Sequence, residues 1–148
     1  MPSSMAEVWN GLEAQGITED TVQVAVERNL PYFEAMSDDD LRAVVGQAEI
    51  GQQMLGIQAT TREQLIEAGD RAARRRNIHD VICDAKNREL IEEFITVKNV
   101  TAIVALALTA VGIGIFIAPI VIGIAVLVLR IGLNEYCLSP SEEVVSGA

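Results

Sequence analysis

From Asn99 to Leu129 the chain runs 31 residues without a charged side chain, closing on the stretch TAIVALALTAVGIGIFIAPIVIGIAVLVL. Nothing else in the sequence restricts the fold as strongly. An apolar run beyond about 18 residues reads as a membrane segment, because core helices of water-soluble domains are usually shorter and interrupted by polar positions. As one straight helix the tract would extend about 46 Å, against a hydrocarbon layer of about 30 Å. Two full spans would need about 40 residues plus a turn, so the tract is long for one and short for two. Its centre, Val111-Gly112-Ile113-Gly114-Ile115-Phe116-Ile117-Ala118-Pro119, holds two glycines and a proline. Proline removes a backbone donor and kinks a continuous helix, here near Ile115. The favoured reading is one tilted, kinked span over residues 98–131. The alternative is a short helical hairpin that dips into the bilayer and returns.

Basic residues set the orientation. Arg71, Arg74, Arg75, Arg76, Lys86, Arg88 and Lys98 precede the tract and only Arg130 follows it, which places the N-terminal part in the cytoplasm of a membrane-anchored protein. A single span would then put the short acidic tail, 132–148, on the far side. A hairpin would leave it inside. No secretory signal opens the chain. The two cysteines, Cys83 and Cys137, form neither a disulfide framework nor a metal motif, and a single span would separate them across the membrane.

Residues 1–97 carry most of the charge and read as helix throughout, so the fold class is all-α, a small N-terminal helical bundle ahead of a transmembrane helix. Ser3 or Ser4 caps a first helix that ends at Gly16, and Thr18 caps a second that stops at Asn29, before Leu30-Pro31. Ser37 with Asp40 opens a third, and Thr60 with Glu63 forms a capping box for a fourth. Ile78, Val81, Ile82 and Ala85 share one helical face, and Leu90, Ile91, Phe94 and Ile95 lead into the apolar tract.

The stretch from Leu41 to Ala85 resembles the small all-helical effector-associated domains of bacterial conflict systems. The resemblance rests on Leu41, Val44, Val45, Ile50, Gly51, Met54, Leu55 and Ile57, then on Leu65, Ile66, Ile78, Val81, Ile82 and Ala85. It implies a death-fold-like adaptor that pairs with like domains on other proteins. The apolar tract would then be the effector.

Enzymatic signals are absent. His79 with Asp80 cannot face one substrate, since adjacent side chains on a helix diverge, and the histidine reads as a surface group. Gly112-Ile113-Gly114 lacks the strand and third glycine of a nucleotide loop, and no cofactor motif occurs. Asp38-Asp39-Asp40 lacks the alternating ligands of a calcium loop. A net charge of −10 disfavours nucleic acid. The charge distribution points to protein and lipid partners instead. The acidic run Asp38, Asp39 and Asp40 and the basic run Arg71, Arg74, Arg75 and Arg76 could join copies head-to-tail, or the basic run could meet acidic headgroups. Ala110, Gly114 and Ala118 recur every four residues, with Pro119 beside them, as a small-residue stripe for packing between membrane helices. The expected function is a membrane effector that self-associates or pairs with a partner and disrupts the bilayer in bacterial defence. The alternative is a non-toxic membrane anchor that presents a partner-binding helical domain.

Overall fold

The computed structural model describes residues 5–53, 61–91, 96–111 and 118–138. All the elements it contains are helices: α1 (Met5–Glu13), α2 (Glu19–Glu34), α3 (Asp38–Gln53), α4 (Arg62–Ala73), α5 (Arg76–Cys83), α6 (Ala85–Glu89), α7 (Val97–Val111), α8 (Ala118–Ile131) and α9 (Leu133–Leu138).

The all-α class stands, but the transmembrane helix does not. The apolar tract forms two helices of 15 and 14 residues. At 1.5 Å per residue each extends about 22 Å, short of a hydrocarbon layer of about 30 Å. Among the described residues no helix is long and apolar enough to cross a membrane. Pro119 falls in the first turn of α8, where a missing N–H costs no helical bond, so it starts a helix and does not kink one. The two helices pack on each other as a hairpin, and the helices that precede them in sequence pack around both.

Each surrounding helix contributes an apolar face at helical spacing. Val8, Trp9 and Leu12 of α1 lie toward α7. Val22, Val26, Leu30 and Phe33 recur along α2 and cover both α7 and α8. Leu41 and Val45 of α3 face α8, where Val45 reaches to Gly123. Ile78 and Ile82 of α5 are buried, and α5 packs on α7. Helix α4 docks mainly on α3, at a crossing so close that a Cβ at Gly46 would meet the Leu65 carbonyl oxygen at 1.9 Å, and one at Gly69 the Arg42 carbonyl oxygen at 1.9 Å.

The helix ends follow local chemistry. Gly16 takes φ +94°, and the Ile17 amide bonds back to the Leu12 carbonyl, a left-handed stop that favours glycine. Thr18 accepts from the Thr21 amide, and Ser37 from the Asp40 amide. The capping box sits one residue later than the sequence reading placed it, on Thr61 and Gln64, each accepting from the other's backbone. Helix α2 also runs on through Pro31 to Glu34. Burial of Leu30 and Phe33 against the hairpin offsets the one lost bond.

Candidate functional site

The hairpin is the feature around which the molecule is built. From Val100 to Leu108 and from Ile120 to Leu129 every residue is buried. A helix apolar on all sides must be enclosed by protein or by lipid, and here it is enclosed by protein. Its few polar groups turn inward on their own helix. Thr101 Oγ1 donates to the Val97 carbonyl and Thr109 Oγ1 to the Leu106 carbonyl, both at 2.6 Å. No ionisable group lies between Asn99 and Leu129 to line a polar pathway.

Among the described residues, polar contacts at three places fasten the hairpin to its shell. The first is Arg130, at the end of α8. Its Nη1 donates to the Met36 carbonyl at 2.7 Å and to Asp38 Oδ1 at 3.0 Å. Its Nη2 donates to the carbonyls of Phe33 and Glu34 at 3.1 and 3.0 Å. One guanidinium thus satisfies carbonyls at the C-terminal end of α2, where the helix dipole favours a cation, and pairs with the acid that opens α3. The sequence reading used Arg130 only as a topological marker. The one signal for this role was a lone cation at the end of an apolar run.

The second fastening lies at α9. Cys83 and Cys137 form a disulfide, with Cα atoms 5.5 Å apart. The expectation of two unpaired thiols fails because α9 folds back on α5, so no membrane separates them. His79 lies one turn before Cys83 and is 8% exposed, a buried residue and not a surface group. Its Nε2 is 3.1 Å from the Tyr136 carbonyl oxygen and 3.8 Å from Cys83 Sγ. A carbonyl only accepts, so Nε2 carries the proton. Tyr136 is fully buried against the His79 ring, and its hydroxyl donates to the Ala73 carbonyl at 2.6 Å. Burial pushes its phenol well above the ordinary range. The third fastening is Asn77 Nδ2, which donates to the Ala110 carbonyl at the end of α7.

The charged runs sit close together within one chain. Asp38 pairs with Arg130, Asp39 with Arg42 and Asp40 with Arg62. The Arg62 hydrogen bond, and after it that of Ser37, holds the Asp40 carboxyl below the usual carboxylate range. Arg74 Nε pairs with Asp70, which also holds Arg42 across the α3–α4 contact, and Arg76 faces Asp80. Burial lowers the pKa of Arg75. Arg71 and Asp39 line one open cleft of about 530 Å³ with Arg42, Ile66, Glu67 and Asp70. In the small-residue stripe, Ala110 lies in the last turn of α7, while Ala118 and Pro119 open α8. Gly114 lies outside the described residues, as do Ser3, Ser4, Thr60, Met54, Leu55, Ile57, Phe94, Ile95 and the far tail. Among the described residues no group of three or more His, Cys, Asp or Glu side chains could hold a metal ion.

No protein family, curated protein or solved structure matches this chain.

Proposed function

We propose that the protein is a membrane-active effector that keeps an apolar hairpin folded inside a helical shell and gives it up to a lipid surface, disturbing the bilayer in a defence response. The observation that carries this reading is the burial of every residue from Val100 to Leu108 in α7 and from Ile120 to Leu129 in α8. Thirteen valine, leucine and isoleucine side chains between Val100 and Leu129 are buried. At about 2 kcal/mol each, exposing them to water would cost roughly 26 kcal/mol, more than the 5–15 kcal/mol that stabilises a typical domain. A hairpin released from this shell therefore has only an apolar destination, and a bilayer offers one. Between Asn99 and Leu129 the tract carries no ionisable group, with Lys98 and Arg130 at its two ends, so its apolar body opposes transfer into lipid very little.

The resemblance of residues 41–85 to effector-associated domains supplies the trigger in this reading. Helices α3 to α5 would engage a like domain on a partner, and several copies brought together would act on one patch of membrane. The paired charges Asp39, Arg42 and Asp70, with Arg71 beside them in the same cleft, provide exchangeable partners for such a contact.

The test is dye release from vesicles of phosphatidylglycerol and phosphatidylethanolamine by the full chain, at rising temperature up to its unfolding midpoint. Release that grows as the shell opens supports the effector. Binding without release identifies an anchor. A protein that opens and aggregates while the vesicles stay intact and unbound refutes both.

A further inference from the structure

The disulfide occupies a position that gives it control over the hairpin. Helix α9 follows α8 after the single residue Gly132, at φ +94°, so anything that holds α9 also holds the end of α8. At six residues α9 is too short to be stable by itself and depends on what fastens it. Those fastenings include Leu133 and Tyr136 in the core, the Tyr136–Ala73 and His79–Tyr136 hydrogen bonds, Arg88 to Asn134, and a covalent tie, Cys83–Cys137. Both cysteines are only partly buried, so a small reductant can reach the bond.

We propose that Cys83–Cys137 is a redox latch: a dithiol reductant cuts it, frees α9 from α5, and allows the C-terminal half of the hairpin to leave the shell. His79 gives the reaction a direction. Its Nε2–H already points to the Tyr136 carbonyl and lies 3.8 Å from Cys83 Sγ, so it can donate to a thiolate forming there. A supported thiolate is the better leaving group. The reductant thiolate attacks Cys137 Sγ, forming a mixed disulfide as the Cys83–Cys137 bond breaks and Cys83 departs as thiolate. The second thiol of the reductant then attacks its own sulfur in the mixed disulfide and releases Cys137. The dithiol loses two electrons and two protons to become a disulfide, and both cysteines end as thiols. Such bonds persist in oxidising surroundings and are cut where dithiol reductants are active, so the latch reports that difference. Its consequence for membranes rests on the effector reading above. The opening itself does not.

Hydrogen exchange on the full chain, with and without dithiothreitol, tests the latch. Reduction should raise exchange over residues 118–138 about tenfold or more while α3 and α4 keep their protection. The Cys83→Ser/Cys137→Ser variant should show the reduced pattern in oxidising buffer and ignore dithiothreitol. If that variant does not fold, reduced wild-type protein decides alone. Glutathione, a monothiol, should be trapped on Cys137, and His79→Leu should slow cleavage while His79→Gln, which keeps a donor, restores it. Unchanged exchange, uniform acceleration over the whole chain, or free thiols at both positions in the oxidised protein would overturn the latch. Selective opening that leaves phosphatidylglycerol vesicles intact would uphold the latch and overturn the effector reading.

Discussion

Arg130 shows how much of this fold depends on single polar side chains at the ends of apolar helices. Its side chain is 16% exposed and donates four hydrogen bonds, three of them to backbone carbonyls at or just past the C-terminal end of α2. Charge-assisted bonds contribute about 1.5–3 kcal/mol each in favourable settings, though Asp38 is exposed and its share is screened. Arg130→Ala should therefore lower stability by about 3 kcal/mol in chemical denaturation, and Arg130→Lys, a single point donor, should recover less than half. A loss below about 0.5 kcal/mol, the range of an ordinary surface change, would show that the clamp is decorative. At this scale the sequence was legible wherever the chemistry is local. Thr18, Ser37 and Gly16 act where a cap or a stop was expected, because such bonds span three to five residues. Arg130 with Phe33 and Cys83 with Cys137 were not legible. Their partners lie 97 and 54 residues apart, and only the fold brings them together.

At the scale of elements, the α3–α4 crossing depends on two glycines that allow backbone to meet backbone. A methyl at Gly46 or Gly69 would fall on a carbonyl oxygen of the facing helix, which cannot rotate away. Gly46→Ala should cost about 2–3 kcal/mol by forcing the helices apart, whereas Gly11→Ala, with open space around it in α1, should gain about 0.5–1 kcal/mol from helix propensity. Thermal melting of the two variants checks both signs, and a Gly46→Ala protein as stable as wild type would disprove the tight crossing. The end of α2 was misjudged in the sequence because proline is a strong local breaker. The tertiary contacts of Leu30 and Phe33 outweigh it, and no window of sequence displays those contacts.

For the molecule as a whole, hydropathy alone cannot distinguish a helix wrapped in lipid from one wrapped in protein. The deciding information is whether the rest of the chain offers enough apolar face to cover it. The stripe Val22, Val26, Leu30 and Phe33, with its counterparts on α1, α3 and α5, supplies that cover. The dependence runs both ways, since these helices are organised on α7 and α8. Residues 1–97 expressed alone should accordingly lack a cooperative melt and show narrow amide dispersion by NMR. A sharp, well-dispersed spectrum from that fragment would mean that a separate N-terminal domain exists after all.

Because Arg130 and α8 close the structure onto Phe33 and Asp38, the shell has no finished core until the last third of the chain has been made. Until then the earlier helices wait, and the tract that will fill them emerges unprotected. Biogenesis is thus a contest of rates: burial by the chain's own helices on one side, capture by chaperones or by membrane-insertion machinery on the other. Whatever slows closure around the tract shifts newly made protein toward capture.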